Sequence, residues 1–104
     1  MNIFDEQADN LVSALLSMKT PEEMKAFLTD LCTIQEIHAL SQRYSVAQKL
    51  EEKLTYDVIS QQTGASKATI SRVSRALLWG ENGYATALKR QNQADTTEVE
   101  DNVQ

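Results

Sequence analysis

The sequence predicts an all-α fold of six helices, and three observations support this prediction. Apolar residues recur three and four positions apart along most of the chain, and no segment alternates apolar and polar residues as a strand does. Hydroxyl side chains precede several of these apolar runs, at positions where they can cap a helix. The three glycines lie where a helix is expected to end or to be interrupted; they are Gly64, Gly80 and Gly83.

The first two helices are predicted within residues 5 to 31. The first, over residues 5 to 18, places on one stripe the apolar side chains Ala8, Leu11, Val12, Leu15 and Met18. The second begins after Thr20, because threonine caps helices well, Pro21 suits the first helical position and two glutamates follow at the positive end of the helix dipole. Its apolar stripe consists of Met24, Phe27, Leu28 and Leu31.

A third, longer helix is predicted from a capping box at residues 33 to 36 as far as about Glu52. In a capping box the threonine hydroxyl and the glutamate carboxylate each accept a backbone N–H that the helix leaves unpaired. The apolar face of this helix consists of Ile37, Leu40, Tyr44 and Ala47. A short last helix is predicted from Tyr84 to Arg90, after the interruption at the last two glycines.

Residues 55 to 78 are predicted to form a helix-turn-helix, two short helices joined at Gly64. Thr55 and Ser66 each occupy an N-cap position, where a hydroxyl satisfies N–H groups of the first turn. Gly64 lies two residues before the second cap, where a helix commonly ends with a residue at positive φ. The residues expected to pack the two helices together are Ile59, Ile70, Val73 and Leu77.

The face of the second helix opposite that apolar stripe carries positive charge, which favours double-stranded DNA as a partner. In a helix-turn-helix, the N-terminal end of this helix enters the major groove. The residues expected to contact DNA are Ser66, Lys67, Ala68, Thr69, Ser71 and Arg75. The alternative is an ordinary helical hairpin whose polar face is merely solvated.

Charge is unevenly distributed along the chain, whose net charge is −5. Residues 1 to 36 hold seven carboxylates and two lysines, a net charge of −5, whereas residues 64 to 90 hold five basic residues and one glutamate, a net charge of +4. A phosphate responds to the field within about one Debye length, ~8–10 Å, so the basic segment matters more than the total. With few cations per subunit, DNA affinity is expected to depend strongly on salt.

Residues 1 to 91 are expected to form one small helical domain, followed by a disordered acidic tail over residues 92 to 104. The tail has no apolar periodicity and carries four carboxylates without a basic residue. A solvating tail without a specific function is the simplest interpretation. Competition with DNA for the basic helix is the alternative.

Other function classes lack their usual sequence signatures. Cys32 is the only cysteine in the sequence, and neither it nor His38 belongs to a cluster with metal-ligand spacing. No nucleophile–base pair or phosphate loop is visible, so we expect neither an enzyme nor a cofactor. Without an apolar run of about 18 residues or a signal peptide, a cytoplasmic protein with no membrane segment is expected.

The chain resembles the Trp repressor family over about residues 28 to 79. The similarity is carried by Thr33, by the run Ala39-Leu40-Ser41-Gln42-Arg43 and by the run Gly64-Ala65-Ser66-Lys67-Ala68-Thr69-Ile70-Ser71-Arg72. The chain is most similar to the Trp-repressor-related branch labelled YerC/YecD, which is found in Gram-positive bacteria. The resemblance implies a six-helix Trp-repressor-like fold in an intertwined homodimer, with two helix-turn-helix units on the outside.

The same resemblance implies a possible site for a small-molecule effector. In the Trp repressor two arginines flank the indole of the bound tryptophan, and their matching positions here are Arg43 and Arg72; Thr69 also matches. Two arginines could hold a carboxylate or a phosphate by charge-assisted hydrogen bonds. Alternatively, the arginines form ion pairs within the chain, with Asp30 or Glu36 as the candidate partners.

Three departures from the repressor bear on ligand and DNA binding. Val73 stands where the repressor has a glycine against the indole, and Ala76 stands where a serine hydroxyl orients the ligand. Because overpacking costs roughly 1–3 kcal/mol, we expect a non-tryptophan effector or none. Asp57 lies where the repressor has polar and basic residues that contact phosphates, and its charge would repel them.

Two functions are consistent with these features. The leading hypothesis is a sequence-specific DNA-binding transcriptional regulator that acts as a dimeric repressor. The first three helices carry more apolar surface than one small monomer can bury, which favours a homodimer over a compact monomer. The alternative is a protein-interaction module that retains the fold without DNA binding; the negative total charge favours it and the basic segment opposes it.

Overall fold

The computed structural model describes residues 3 to 103, with side chains described as far as Ala94. Within these residues the chain is all-α, as predicted, and no strand is formed. The six helices are α1 (Glu6–Ser17), α2 (Pro21–Leu31), α3 (Ile34–Glu51), α4 (Tyr56–Thr63), α5 (Lys67–Trp79) and α6 (Gly83–Val103). The chain divides between His38 and Ala39 into two compact units.

Local side-chain caps fix the helix starts of the first unit. The Asp5 carboxylate Oδ1 accepts the backbone N–H of Ala8 at 2.8 Å and begins α1. The Thr20 hydroxyl Oγ1 accepts the backbone N–H of Glu23 at 3.1 Å and begins α2. Each cap satisfies a donor that the first helical turn leaves unpaired. These starts agree with the predicted ones.

The predicted capping box at the start of α3 is present in both directions. Thr33 donates its backbone N–H to Glu36 Oε1 at 2.7 Å, and Glu36 donates its backbone N–H to Thr33 Oγ1 at 3.1 Å. These hydrogen bonds, chiefly the one from the Thr33 backbone, hold the pKa of the Glu36 carboxyl below its usual value.

The first unit has no buried core of its own among the described residues, since none of the residues of α1 or α2 is buried. Several of its large apolar side chains are exposed in the single chain: Ile3, Phe4, Leu11, Val12, Leu16, Leu31 and Ile34. Helices this short are marginal without packing partners. Their apolar stripes therefore need a surface that this unit does not contain.

The second unit contains the hydrophobic core of the described residues. The buried residues come from α3, α4, α5, α6 and the turn before α5: Val46, Ala47, Ile59, Ala65, Ile70, Val73 and Leu88. Tyr44, Leu50, Leu54, Leu77 and Tyr84 pack partly buried against them. This core fixes α4 and α5 to each other and to the helices on either side of them in the chain.

Helix α3 ends in a Schellman motif built around a lysine. The backbone N–H of Lys53 donates to the Leu50 carbonyl at 3.0 Å, and that of Leu54 donates to the Lys49 carbonyl at 3.3 Å. Lys53 has a φ of 67°, in the left-handed region where glycine is the usual residue. A lysine is strained at this position because its Cβ approaches the following carbonyl oxygen.

We expect Lys53→Gly to stabilise the protein by about 1 kcal/mol, because glycine adopts the left-handed conformation without steric cost. Urea denaturation at fixed protein concentration measures the change in the free energy of unfolding. The matched control is Glu52→Gly, one residue earlier and without positive φ. The control is expected to destabilise the protein, and a gain of equal size from both variants would contradict the proposed strain at Lys53.

Helix α5 is followed by Gly80, at a position where a side chain does not fit. A Cβ added at Gly80 would lie 2.4 Å from the carbonyl oxygen of Ala76, and the backbone would have to move to accommodate it. The Gly80 N–H donates to the same carbonyl at 3.0 Å and caps the helix. The predicted interruption between α5 and α6 is thus confirmed.

Helix α6 extends beyond the predicted end of the last helix. The sequence predicted a short helix from Tyr84 to Arg90, whereas the observed backbone is helical from Gly83 to Val103. The physical reason is that residues 84 to 103 contain neither glycine nor proline, so no strong helix stop follows Gly83. The predicted division into a domain of residues 1 to 91 and a disordered tail of residues 92 to 104 stays a prediction. Side chains from Asp95 onward lie outside the described residues.

Candidate nucleic-acid interface

The turn between α4 and α5 is closed by hydrogen bonds around one glycine. Gly64 ends α4 with a φ of 75°, and its N–H donates to the Ser60 carbonyl at 2.9 Å. The Ser60 hydroxyl donates to the Ala65 carbonyl at 2.8 Å, and the Thr63 hydroxyl accepts the Ala65 N–H at 3.1 Å. Since Ala65 is also buried, the turn has a defined conformation. The predicted positive φ at Gly64 is confirmed.

Hydroxyl side chains cap both helices at the predicted positions. Thr55 Oγ1 accepts the backbone N–H of Val58 at 3.3 Å, and Ser66 Oγ accepts that of Thr69 at 3.1 Å. The Ser66 hydroxyl also donates to Thr69 Oγ1 at 3.1 Å. Two of the predicted DNA contacts, Ser66 and Thr69, therefore take part in the helix cap.

The inner faces of α4 and α5 pack together as the sequence indicated. Ile59, Ile70 and Val73 are all buried, and Ala65 lies between the helices in the same core. Because interiors are close-packed, these contacts fix the angle at which α5 is presented. We refer to α4, α5 and the turn between them as the α4–α5 pair.

The outer face of α5 presents most of the predicted DNA contacts to solvent. Lys67, Ala68 and Arg75 are exposed, whereas Thr69 and Ser71 are half-buried. Arg72 is exposed as well, one turn before Arg75 and therefore on the same side of the helix. The structure brings the exposed cations Lys67, Arg72 and Arg75 together on one helix.

A salt bridge within the α4–α5 pair was not predicted from the sequence. Lys67 Nζ lies 2.6 Å from Asp57 Oδ1, and the two side chains are 66% and 78% exposed. The hydrogen bond and the charge of Lys67 hold the pKa of the Asp57 carboxyl below its usual value. The two residues are on different helices, so helical spacing alone gave no signal for this contact.

Side chains of α3 hold the α4–α5 pair and α6 in place. Gln42 Nε2 donates to the Thr63 carbonyl at 3.2 Å, which satisfies one of the unpaired carbonyls at the end of α4. Gln91 Oε1 on α6 accepts the Tyr44 hydroxyl at 2.7 Å and Gln48 Nε2 at 3.2 Å. Sequence reasoning missed these contacts because they join residues more than twenty positions apart.

The residues of the possible effector site lie on two helices of the second unit. Arg43 is half-buried on α3 and Arg72 is exposed on α5. Neither arginine forms a salt bridge with another described residue, whereas Lys67 and Asp57 do form one. Val73 is only 1% exposed and belongs to the core of the second unit. An effector site at Arg43, Thr69 and Arg72 stays a prediction.

The helical architecture and the α4–α5 pair define a class of protein, the helical DNA-binding regulators. The sequence model of the family described as Trp repressor protein matches residues 6–92. The chain therefore belongs to the Trp repressor family, which is a family of regulators and not of enzymes. The resemblance seen in the sequence is thereby confirmed.

Individual relatives place the chain within the YerC-type branch of the family. It is 47% identical to the protein YerC of Bacillus subtilis (strain 168) over 91 residues, and this aligned region covers 88% of each of the two chains. The crystal structure of a TrpR-like protein from Eubacterium eligens ATCC 27750 superposes with a TM-score of 0.82 at 45% identity and covers 85% of this chain and 91% of that one. A candidate Trp repressor from Staphylococcus aureus superposes with a TM-score of 0.81 at 45% identity, over 85% of this chain and 88% of that one.

Proposed function

We propose that the chain is a dimeric, sequence-specific transcriptional repressor and that the α4–α5 pair is its DNA-binding helix-turn-helix. The observation that carries this proposal is the arrangement of α5. Its inner face is buried against α4, while its outer face exposes Lys67, Arg72 and Arg75. A capped and firmly packed helix with cations on its free side is suited to the major groove, which admits one α-helix. Because the relatives named above are bacterial proteins and bacterial DNA lies in the cytoplasm, the proposal includes a cytoplasmic location.

The positions along α5 suggest different roles for its residues. Residues at the N-terminal end, Lys67, Ala68, Thr69 and Ser71, would meet base edges. Arg75 lies two turns further along the helix and would hold a phosphate, as would the backbone N–H groups that follow Ser66. Because Thr69 and Ser71 are half-buried, they would contact only bases that α5 approaches closely.

The exposed apolar surface of the first unit supports a homodimer. Neither α1 nor α2 buries a residue within the single chain. In the second unit, Leu40 on α3 is 48% exposed as well. A second copy with the same stripes would cover this surface by two-fold symmetry. The dimer would carry two α5 helices for adjacent major grooves, about 34 Å apart on an inverted repeat.

We expect the protein not to bind tryptophan at millimolar concentration, as measured by isothermal titration calorimetry. The isopropyl group of Val73 is fixed in the core, where it cannot turn aside for an indole without a packing cost. Val73→Gly would leave a core cavity and lower the free energy of unfolding by about 2–4 kcal/mol. Heat of binding on addition of tryptophan to the unaltered chain would contradict this expectation, and tighter DNA binding in its presence would identify tryptophan as the effector.

Selection from a pool of random DNA duplexes tests the proposed function most directly. The full chain is expected to enrich a short inverted repeat from the pool, and binding to this motif is then measured by fluorescence anisotropy. A matched variant, Thr69→Ala, should shift the preferred bases while it keeps general affinity for DNA. Recovery of no motif at low salt would refute sequence-specific binding.

A second candidate function, a protein-interaction module, is favoured by the C-terminal end of α5. Leu78 and Trp79 are 70% and 84% exposed, and large aromatic side chains are enriched in protein interfaces. If selection recovers no motif, capture of a protein partner that is lost in Trp79→Ala would support this candidate.

A further inference from the structure

The salt bridge between Asp57 and Lys67 lies on the surface that the proposed function turns toward DNA. Lys67 is the first residue of α5, and Asp57 lies in the first turn of α4. Both side chains are largely exposed, and exposed ion pairs contribute little to folding stability. The pair therefore matters chiefly through what it offers to a ligand at the N-terminal end of α5.

A phosphate and a base edge meet this pair differently. A phosphate that binds Lys67 has to replace the Asp57 carboxylate and then remain near a like charge, which is unfavourable. A base edge in the major groove can instead satisfy both groups. The carboxylate can accept a hydrogen bond from an amino group of cytosine or adenine, while the ammonium donates one to the N7 or O6 atom of a neighbouring purine.

We propose that Asp57 is a specificity-determining residue, which holds Lys67 away from unselective phosphate binding and favours base edges that offer an amino donor. This inference rests on the proposed DNA binding by the α4–α5 pair. It assigns a role to a carboxylate that would otherwise only weaken the interaction. The role belongs to the pair, since Asp57 would repel base and phosphate oxygens alike if Lys67 were absent.

The test compares Asp57→Asn with the unaltered full chain on two duplexes, the selected inverted repeat and a scrambled version of it. Binding is measured by fluorescence anisotropy over a range of salt concentrations. For Asp57→Asn we expect scrambled DNA to bind about 100-fold more tightly at about 0.1 M salt, with a salt slope steeper by about 1.8 for a dimer that gains two phosphate contacts. The selected duplex should gain less, so the ratio of the two affinities falls.

Two further variants separate this role from a simple change of net charge. Glu81→Gln removes one negative charge from an exposed position between α5 and α6, and it should leave the affinity ratio unchanged. In Asp57→Asn combined with Lys67→Gln, the gain on scrambled DNA should disappear, because the freed ammonium is absent. Circular dichroism verifies that each variant is folded.

Three results would overturn the inference. If Asp57→Asn and Glu81→Gln raise the affinity for both duplexes equally, Asp57 affects DNA binding only through its contribution to the net charge. An unchanged or higher affinity ratio in Asp57→Asn would show that the carboxylate does not select against unselective binding. If the unaltered chain binds neither duplex at low salt, the proposed function itself fails and this inference fails with it.

Discussion

Leu40→Asp is expected to abolish the homodimer with loss of folded structure, rather than to yield a stable monomer, and to weaken DNA binding by at least about 100-fold, because two linked DNA-binding units gain affinity from simultaneous engagement. Leu40 is 48% exposed in the single chain, so a second chain can cover the exposed part of its side chain. In the proposed dimer it would place an unpaired carboxylate in an apolar interface, at a cost of several kcal/mol. Sedimentation velocity measures the loss of the dimer, and fluorescence anisotropy measures the loss of DNA affinity.

Leu40→Met serves as the control, because a swap of similar volume between apolar side chains usually costs less than about 1.5 kcal/mol. This variant should stay dimeric. The melting temperature of the unaltered chain should rise with protein concentration, since association stabilises the folded state by mass action. A folded monomer of the unaltered chain at micromolar concentration would contradict the dimer.

Loss of the dimer should also reduce helical content. The described residues of α1 and α2 have no buried member, and isolated helices of this length are marginal in water. The second unit has its own core around Ile59 and Ile70. Circular dichroism of Leu40→Asp should therefore show a partial loss of helix, with the second unit as the part best able to retain structure.

The helix starts were predictable because each depends on residues within one turn of the chain. Asp5, Thr20, Thr33, Thr55 and Ser66 cap the helices through side-chain contacts to N–H groups three residues later. Such contacts are encoded by local sequence and need no knowledge of the tertiary structure.

The end of α6 was predicted wrongly from composition. Acidic composition and the lack of apolar periodicity suggested that regular structure stops near Arg90, but the helix extends to Val103. Composition describes whether a segment can bury surface, whereas a helix ends where a stop residue or an alternative hydrogen bond ends it. No glycine or proline follows Gly83, so the sequence contained evidence for a longer helix.

Contacts between helices were the part of the candidate interface that the sequence could not reveal. The exposed face of α5 followed from its 3.6-residue period, and its cations lie where that period places them. The Asp57–Lys67 pair and the hydrogen bond from Gln42 to Thr63 depend on how α4 packs against its neighbours. Periodicity gives the direction of a side chain within its own helix but not the residue it meets on another one.

Arg75→Ala is expected to weaken binding about 100-fold at about 0.1 M salt, on the selected and the scrambled duplex alike. Arg75 is exposed on the outer face of α5, without a salt bridge among the described residues. The proposed dimer would lose two phosphate contacts, each of which contributes about tenfold at this salt concentration, and the salt slope should flatten by about 1.8. Fluorescence anisotropy over a salt series measures both quantities.

Lys89→Ala is the matched control, since it removes an exposed positive charge from α6 and leaves α5 unaltered. It should reduce affinity only slightly. If both variants lose affinity equally, the field of the basic segment as a whole attracts DNA and Arg75 makes no particular contact. If Arg75→Ala changes which sequences are preferred, Arg75 reads bases and its proposed phosphate role is wrong.

Arg72→Ala decides between the two roles open to the neighbouring arginine. Arg72 lies on the same side of α5 as Arg75. If Arg72 contacts a phosphate, Arg72→Ala should lower the DNA affinity and the salt slope to a similar extent as Arg75→Ala, in the absence of any ligand. If Arg72 binds an effector instead, Arg72→Ala should leave DNA binding without ligand nearly unchanged, because an effector shifts DNA affinity only through its preference for the DNA-competent state. A loss equal to that of Arg75→Ala in purified protein would assign Arg72 to the DNA interface and leave Arg43 as the remaining arginine of the possible effector site.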